Sequence, residues 1–122
     1  MTDKIIYSYT RDDAIRDGVL IDVSRTAEEM GFEWPVAVTS AVWSLIVKHG
    51  PNDDVAGRLW DVLWMLKTSI KMRRHFDRDT TEVRFAVIMQ SGRTKKHHFK
   101  AVSGPASPEG EPCITIMLPD ED

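Results

Sequence analysis

The nine residues Gly57-Arg58-Leu59-Trp60-Asp61-Val62-Leu63-Trp64-Met65 constrain the fold of this chain more than any other stretch. They set two tryptophans one helical turn apart inside an apolar stripe, with an arginine and an aspartate three apart among them. A helix with so little polar surface is expected at the centre of one compact core. Asn52-Asp53-Asp54 supplies its start. Val55, Leu59, Val62, Leu63, Leu66 and Ile70 then recur at spacings of three and four, to about Arg74. Trp60 and Trp64 widen this stripe on one flank. The predicted core comprises Trp43, Leu59, Trp60, Val62, Leu63, Trp64 and Leu66. Arg11, Asp17, Asp22, Arg58 and Asp61 are expected to form a buried or half-buried polar network around it. Lys67, Lys71, Arg73, Arg74 and His75 crowd the last turns, where cations complement the negative end of the helix dipole.

Upstream, Thr10 precedes Arg11-Asp12-Asp13 and can cap a short helix that Gly18 ends. Val19-Leu20-Ile21-Asp22-Val23 fits a short buried strand, and Ser24 is the next cap, with Gly31 at the exit of its helix. From Trp34-Pro35 onward the pattern predicts a helix ending at His49-Gly50-Pro51. Pro35 fits a first helical turn, although Thr39 is an alternative cap for a later start. From Thr80 the period changes to two. Val83, Phe85, Val87 and Met89 alternate with Arg84, Ala86 and Ile88, as a strand with one face on a core requires. Ser91-Gly92-Arg93-Thr94 is read as a turn into a second strand, Lys95 to Val102, and Ser103 to Gly110 as a loop. Pro112 to Leu118 is almost wholly apolar and predicts a third strand, central or covered on both faces. Asp120-Glu121-Asp122 is read as a frayed tail. The expected architecture is one α+β domain over residues 1–122. Several helices, one long and central, pack on one face of a small, mainly antiparallel three-stranded sheet formed by the C-terminal part.

Charge is unevenly laid out. Residues 1–62 hold 6 basic and 11 acidic side chains, residues 63–104 hold 10 and 3, and residues 105–122 hold none and 5, within a net −3. A single cysteine, Cys113, excludes an internal disulfide and suits a reducing compartment. The N-terminus lacks the basic start and apolar stretch of a secretion signal, and no apolar run is long enough to span a bilayer. The expectation is a cytoplasmic protein with no membrane partner.

No catalytic constellation stands out. Adjacent His97 and His98 point to opposite faces of a strand, and His49 and His75 stand alone, so neither a metal nor another cofactor is expected. Cys113 lies in an apolar strand that would quench its nucleophilicity. Two surfaces carry functional signal instead. Acidic Asp12, Asp13, Asp17, Glu109 and Glu111 are candidates for steering a basic protein partner. Basic Arg73, Arg74, Arg93, Lys95, Lys96 and Lys100, around the hairpin 91–100, are candidates for nucleic-acid phosphates. An exposed Trp34 or Phe32 would argue for a protein interface.

Several blocks carry a resemblance: Tyr7-Ser8-Tyr9-Thr10-Arg11, Asp17-Gly18-Val19-Leu20-Ile21-Asp22-Val23-Ser24, Ala41-Val42-Trp43, the nine residues from Gly57, and Ile114-Thr115-Ile116-Met117-Leu118-Pro119. In this order they resemble a family of small uncharacterised bacterial proteins carried by phages, plasmids and integrated mobile elements. The resemblance implies an accessory gene on mobile DNA and brings no catalytic residues. Such genes often encode binding inhibitors of host defence, including restriction and CRISPR systems. The leading expectation is therefore a non-enzymatic protein that binds a host protein or nucleoprotein. The alternative is a nucleic-acid binder using the basic hairpin, and the third is a small enzyme using Tyr7, Asp22 or Asp61.

Overall fold

A computed structural model describes residues 10–47, 54–73, 82–91, 93–105 and 112–121. Their elements, in order, are α1 (Arg11–Arg16), β1 (Leu20–Asp22), α2 (Ser24–Met30), β2 (Val36–Thr39), α3 (Ser40–Val47), α4 (Val55–Arg73), β3 (Glu82–Ser91), β4 (Arg93–Pro105) and β5 (Pro112–Met117). The sheet has five strands, not three, in the order β1-β2-β5-β4-β3. It is mixed, because β2 runs parallel to β5 while the other neighbours are antiparallel.

The two additional strands come from the acidic half of the chain. β2 occupies residues expected to be helical. Val36, Ala37 and Val38 are fully buried between β1 and β5, and β-branched side chains fit such a ladder. The helix begins only at Ser40, where the Thr39 hydroxyl accepts the Val42 amide. Thr39 is therefore the cap, and Pro35 precedes a strand. β1 falls in the middle of the expected apolar run, but as a half-exposed edge strand rather than a buried one.

β5 is central as expected, with β2 on one side and β4 on the other. Val36, Val38, Ile114, Ile116, Phe99, Ala101, Phe85 and Val87 share one face and pack against α2, α3 and α4. Phe85 and Phe99 pair across β3 and β4 with ring centroids 5.7 Å apart. β3 and β4 run further than expected, so that Ser103 to Pro105 extend β4 rather than form a loop. Residues 106–111 lie outside the described set.

Not every helix covers that one face. Arg11 at the start of α1 donates from Nη1 to the Thr115 hydroxyl (2.6 Å) and from Nη2 to the Ile114 carbonyl (2.7 Å). Thr115 points away from Ile114 and Ile116, so α1 lies against the opposite face. Ala37, Cys113 and Met117 on that face are buried as well.

Local ends obey capping chemistry. Thr10 and Asp13 form a capping box, each side chain accepting the other's backbone amide. The α2 start differs from expectation by one residue. Ser24 lies inside the helix, and the Asp22 carboxylate accepts both its amide and its hydroxyl. Ser24 Oγ also accepts the Val36 amide, which ties α2 to β2. Gly31 ends α2 at φ 101°, and a Cβ there would meet Lys67 Nζ at 3.2 Å. The C-terminal Glu121 is not frayed. Its carboxylate accepts the Thr39 hydroxyl (2.7 Å) and the Leu118 amide (2.8 Å).

Candidate functional site

The 19 residues of α4 form a rod about 28 Å long whose two sides have opposite fates. Asp54 caps its start, accepting the Gly57 amide on its side chain at 2.9 Å. Leu59, Val62, Leu63 and Leu66 are buried in the core, flanked by the half-buried Val55 and Ile70, which confirms the main stripe. Arg58 is buried beside them. Its Nε donates to the Ile46 carbonyl (2.6 Å), an acceptor in the last turn of α3 that its own helix leaves open.

The tryptophans do not join this core. Trp60 and Trp64 are 41% and 52% exposed, and Met65 and Met72 on the same side are 37% and 65% exposed. The reason is angular. At about 100° per residue, Trp60, Trp64, Thr68 and Met72 follow one another up the side of the rod opposite Val62 and Leu66. An apolar residue list placed both indoles in the core, whereas a projection of the same residues down the axis puts them outside it. Trp43 is half-buried and packs against the core as expected.

Beside this outer face lies a groove of about 450 Å³ between α4 and the segment after α2. Phe32, Trp34, Ile70 and Ile114 give it an apolar floor, and Lys67 and Lys71 stand at its rim. Lys67 Nζ donates to the Met30 carbonyl, which fixes α2's end against α4. Trp60, Trp64, Lys67 and Lys71 succeed one another at intervals of four, three and four, the spacing of one straight line along a helix. The exposed indoles therefore run directly toward the groove, where Trp34 is exposed in turn.

Of the sequence-predicted basic set, the described side chains fall on both faces of β4. Lys95 and Lys96 are both exposed but alternate between the two faces of β4. Lys96, His98 and Lys100 share one face, opposite Ile88, Ala86 and Arg84 on β3. Lys100 is buried there, and Arg84 is paired with Glu82 at 2.9 Å. Arg73 ends α4 and Arg93 begins β4, whereas Arg74 lies outside the described residues. A cavity of about 390 Å³, lined by Arg84, Phe85, Ala86, His98, Phe99 and Pro119, opens on this part of the molecule.

The acidic candidates are largely engaged in local structure. Asp13 closes the capping box and pairs with Arg16 at 2.7 Å. The Thr10 amide, then the Thr10 hydroxyl and Arg16, hold the Asp13 carboxyl below the ordinary carboxylate range. Asp17 lies 3.7 Å from Arg16, and Asp12 is exposed. Glu109 and Glu111 fall outside the described residues.

Among the described residues the predicted polar network divides between several elements. Arg11 binds β5, Asp22 binds Ser24, Arg58 binds the end of α3, and Asp61 is exposed on the outer face of α4. Among the described residues no three His, Cys, Asp or Glu side chains cluster in a metal-binding arrangement. Tyr7 lies outside the described residues, and Asp22 and Asp61 are both exposed, one on β1 and the other on α4. Among the described residues no helix is long and apolar enough to cross a membrane.

The chain belongs to a family of unknown function (DUF6573), whose profile matches residues 1–122. Neither a search of curated proteins nor a search of solved structures gives a match.

Proposed function

We propose that the protein acts by binding a macromolecular partner, with the outer face of α4 as its docking surface. The carrying observation is the exposure of Trp60, Trp64, Met65 and Met72 together on one side of one helix. Keeping two indoles and two thioethers in water costs solvation free energy, and contiguous apolar patches on otherwise ordinary surfaces mark interaction sites. Tryptophan is the residue most enriched among those that dominate binding energy, and methionine adapts to irregular partner surfaces. The face is convex, so it suits a partner that offers an apolar cleft for the indoles.

The setting follows from the resemblance to proteins of phages, plasmids and integrated elements. There the role is that of a non-enzymatic accessory protein that binds a host protein or nucleoprotein, as an inhibitor of a defence system such as CRISPR or restriction. A second reading, nucleic-acid contact, draws support from the open face that Lys96, His98 and Arg84 share. It is the weaker one, because Lys100 is buried and Arg84 is already paired with Glu82.

The test is capture of partners from host lysate by the tagged full chain, with and without nuclease, beside a Trp60→Ser/Trp64→Ser variant. The docking reading expects a stoichiometric host protein that survives nuclease and is lost with the variant. Recovery that vanishes with nuclease and is indifferent to the two tryptophans would replace it with the nucleic-acid reading.

A further inference from the structure

The sheet face turned away from α2, α3 and α4 is unevenly charged where β3 meets β4. Register sets Arg84 directly opposite Lys100 and Ala86 opposite His98, so all four side chains leave the same face. Directly opposed side chains start from Cβ atoms about 5 Å apart, a separation at which like charges destabilise a pair. Glu82 is the one carboxylate on β3 and β4. It accepts from Arg84 Nε at 2.9 Å, and both partners reach solvent, so the pair contributes little. Among the described residues the two Nη groups of Arg84 make no hydrogen bond.

Lys100 lacks even that answer. It is 9% exposed, with Arg84 beside it on one strand and Met117 on the other. Among the described residues it makes no hydrogen bond or ion pair. Buried charges in folded proteins are ordinarily paired, because an unpaired one is costly. Nearby, Arg84, Ala86, His98 and Pro119 border the cavity of about 390 Å³. That volume falls within the range of roughly 300 to 1,000 Å³ that small molecules occupy. Glu121 is committed to Thr39 and Leu118, and Asp120 is exposed outside the cavity lining.

We infer that this corner of the sheet binds a phosphate dianion, free or as the terminal group of a small phosphomonoester. The Nη groups of Arg84 offer the parallel donors that suit a phosphate, and Lys100 adds a point charge. His98 supplies a further donor, and Ala86 and Pro119 give an organic body an apolar wall. Two permanent cations match a dianion, whereas a monoanion leaves one of them unanswered. A nucleic-acid strand suits the site less well, because Lys100 lies too deep for a backbone that runs over the surface. The site is on the opposite side of the sheet from α4 and stands independently of the docking surface proposed above.

Thermal unfolding of the full chain tests it, in sodium phosphate, sodium chloride or adenosine 5′-monophosphate at matched ionic strength. The pH is about 7.5, where a phosphomonoester carries close to two negative charges. About 10 mM phosphate should raise Tm by about 5 °C over chloride, as a dissociation constant of about 1 mM requires. If the ligand is an ester, the monophosphate reaches that shift at about a tenth of the concentration; an equal requirement identifies free phosphate. Arg84→Gln and Lys100→Met should each cut the shift below about 1 °C, and Lys95→Gln, on the other face of β4, should keep it. Lys100→Met keeps much of the side chain's bulk and removes the charge opposite Arg84, so without phosphate it should melt no lower than wild type. A lower melting temperature would make Lys100 a structural residue and remove it from the site. Arg84→Gln, at an exposed position, decides the case if Lys100→Met does not fold. A wild type that responds to phosphate and monophosphate only as to chloride overturns the site, as does a full shift in both variants. A single-stranded DNA of about 12 nucleotides that stabilises more than the monophosphate, and loses its effect as salt rises, would replace the site with nucleic-acid contact.

Discussion

Arg58 and Trp60 leave the same turn of α4 on nearly opposite sides, and their environments invert what their chemistry suggests. The guanidinium is buried and the indole is half in water. Arg58 is tolerated inside because it is hydrogen-bonded, its Nε satisfying the Ile46 carbonyl at the end of α3. Arg58→Ala removes that donor and leaves a buried acceptor without a partner, so it should cost about 2 kcal/mol in urea unfolding. A variant as stable as wild type would show that the contact is incidental. Trp60 has no such constraint from the interior. The polar residue was thus legible as structural, while the aromatic one was misjudged because apolar character was weighed without its angular position.

At the scale of elements, α1 depends on short-range chemistry more than on burial. Only Ala14 of its six residues is buried, while the Thr10–Asp13 capping box and Arg11's bonds to β5 hold it in place. Asp13 titrates below its unfolded value, chiefly because the Thr10 amide donates to its carboxylate. Its contribution is therefore complete above the unfolded carboxylate range and is lost as pH falls through the lowered folded value. Amide exchange across α1 should accelerate as acid protonates this carboxylate, and Asp13→Asn should abolish that acid limb of the profile. An Asp13→Asn variant with the wild-type profile would contradict the assignment.

The elements also show what the sequence could convey. Caps at Thr10 and Asp54, the glycine stops at 18 and 31, and the alternation of β3 were all readable, because each is decided by neighbours in the chain. β2 was not. Its Val36-Ala37-Val38 run is short enough to serve either helix or strand, and parallel pairing with β5 selects the strand. That partner lies nearly eighty residues away, so local periodicity could not report it. The same holds for α1's position, which Arg11 reveals only through its bond to Thr115.

For the whole molecule, the arrangement separates a well-packed side from an open one. α2, α3 and α4 close over the sheet, and Trp60, Trp64, Met65 and Met72 of α4 are exposed away from that core. Among the described residues the basic side chains of the 63–104 segment fall on more than one surface. β4 divides its lysines between two surfaces, and Glu82 answers Arg84. One helix thus carries two jobs, a structural side in the core and an exposed side proposed for docking.

The most direct test measures both jobs at once on Leu63→Ala and Trp64→Glu, neighbours in sequence of which the first is buried in the core and the second exposed. Unfolding is followed in urea, and host-protein capture is scored on the same preparations. The account predicts that Leu63→Ala loses roughly 3 kcal/mol of stability yet still captures its partner while folded. Trp64→Glu should change stability by no more than about 0.5 kcal/mol and lose capture. A Trp64→Glu protein that is strongly destabilised, or that captures its partner as wild type does, would contradict the division of α4 into a core side and a docking side.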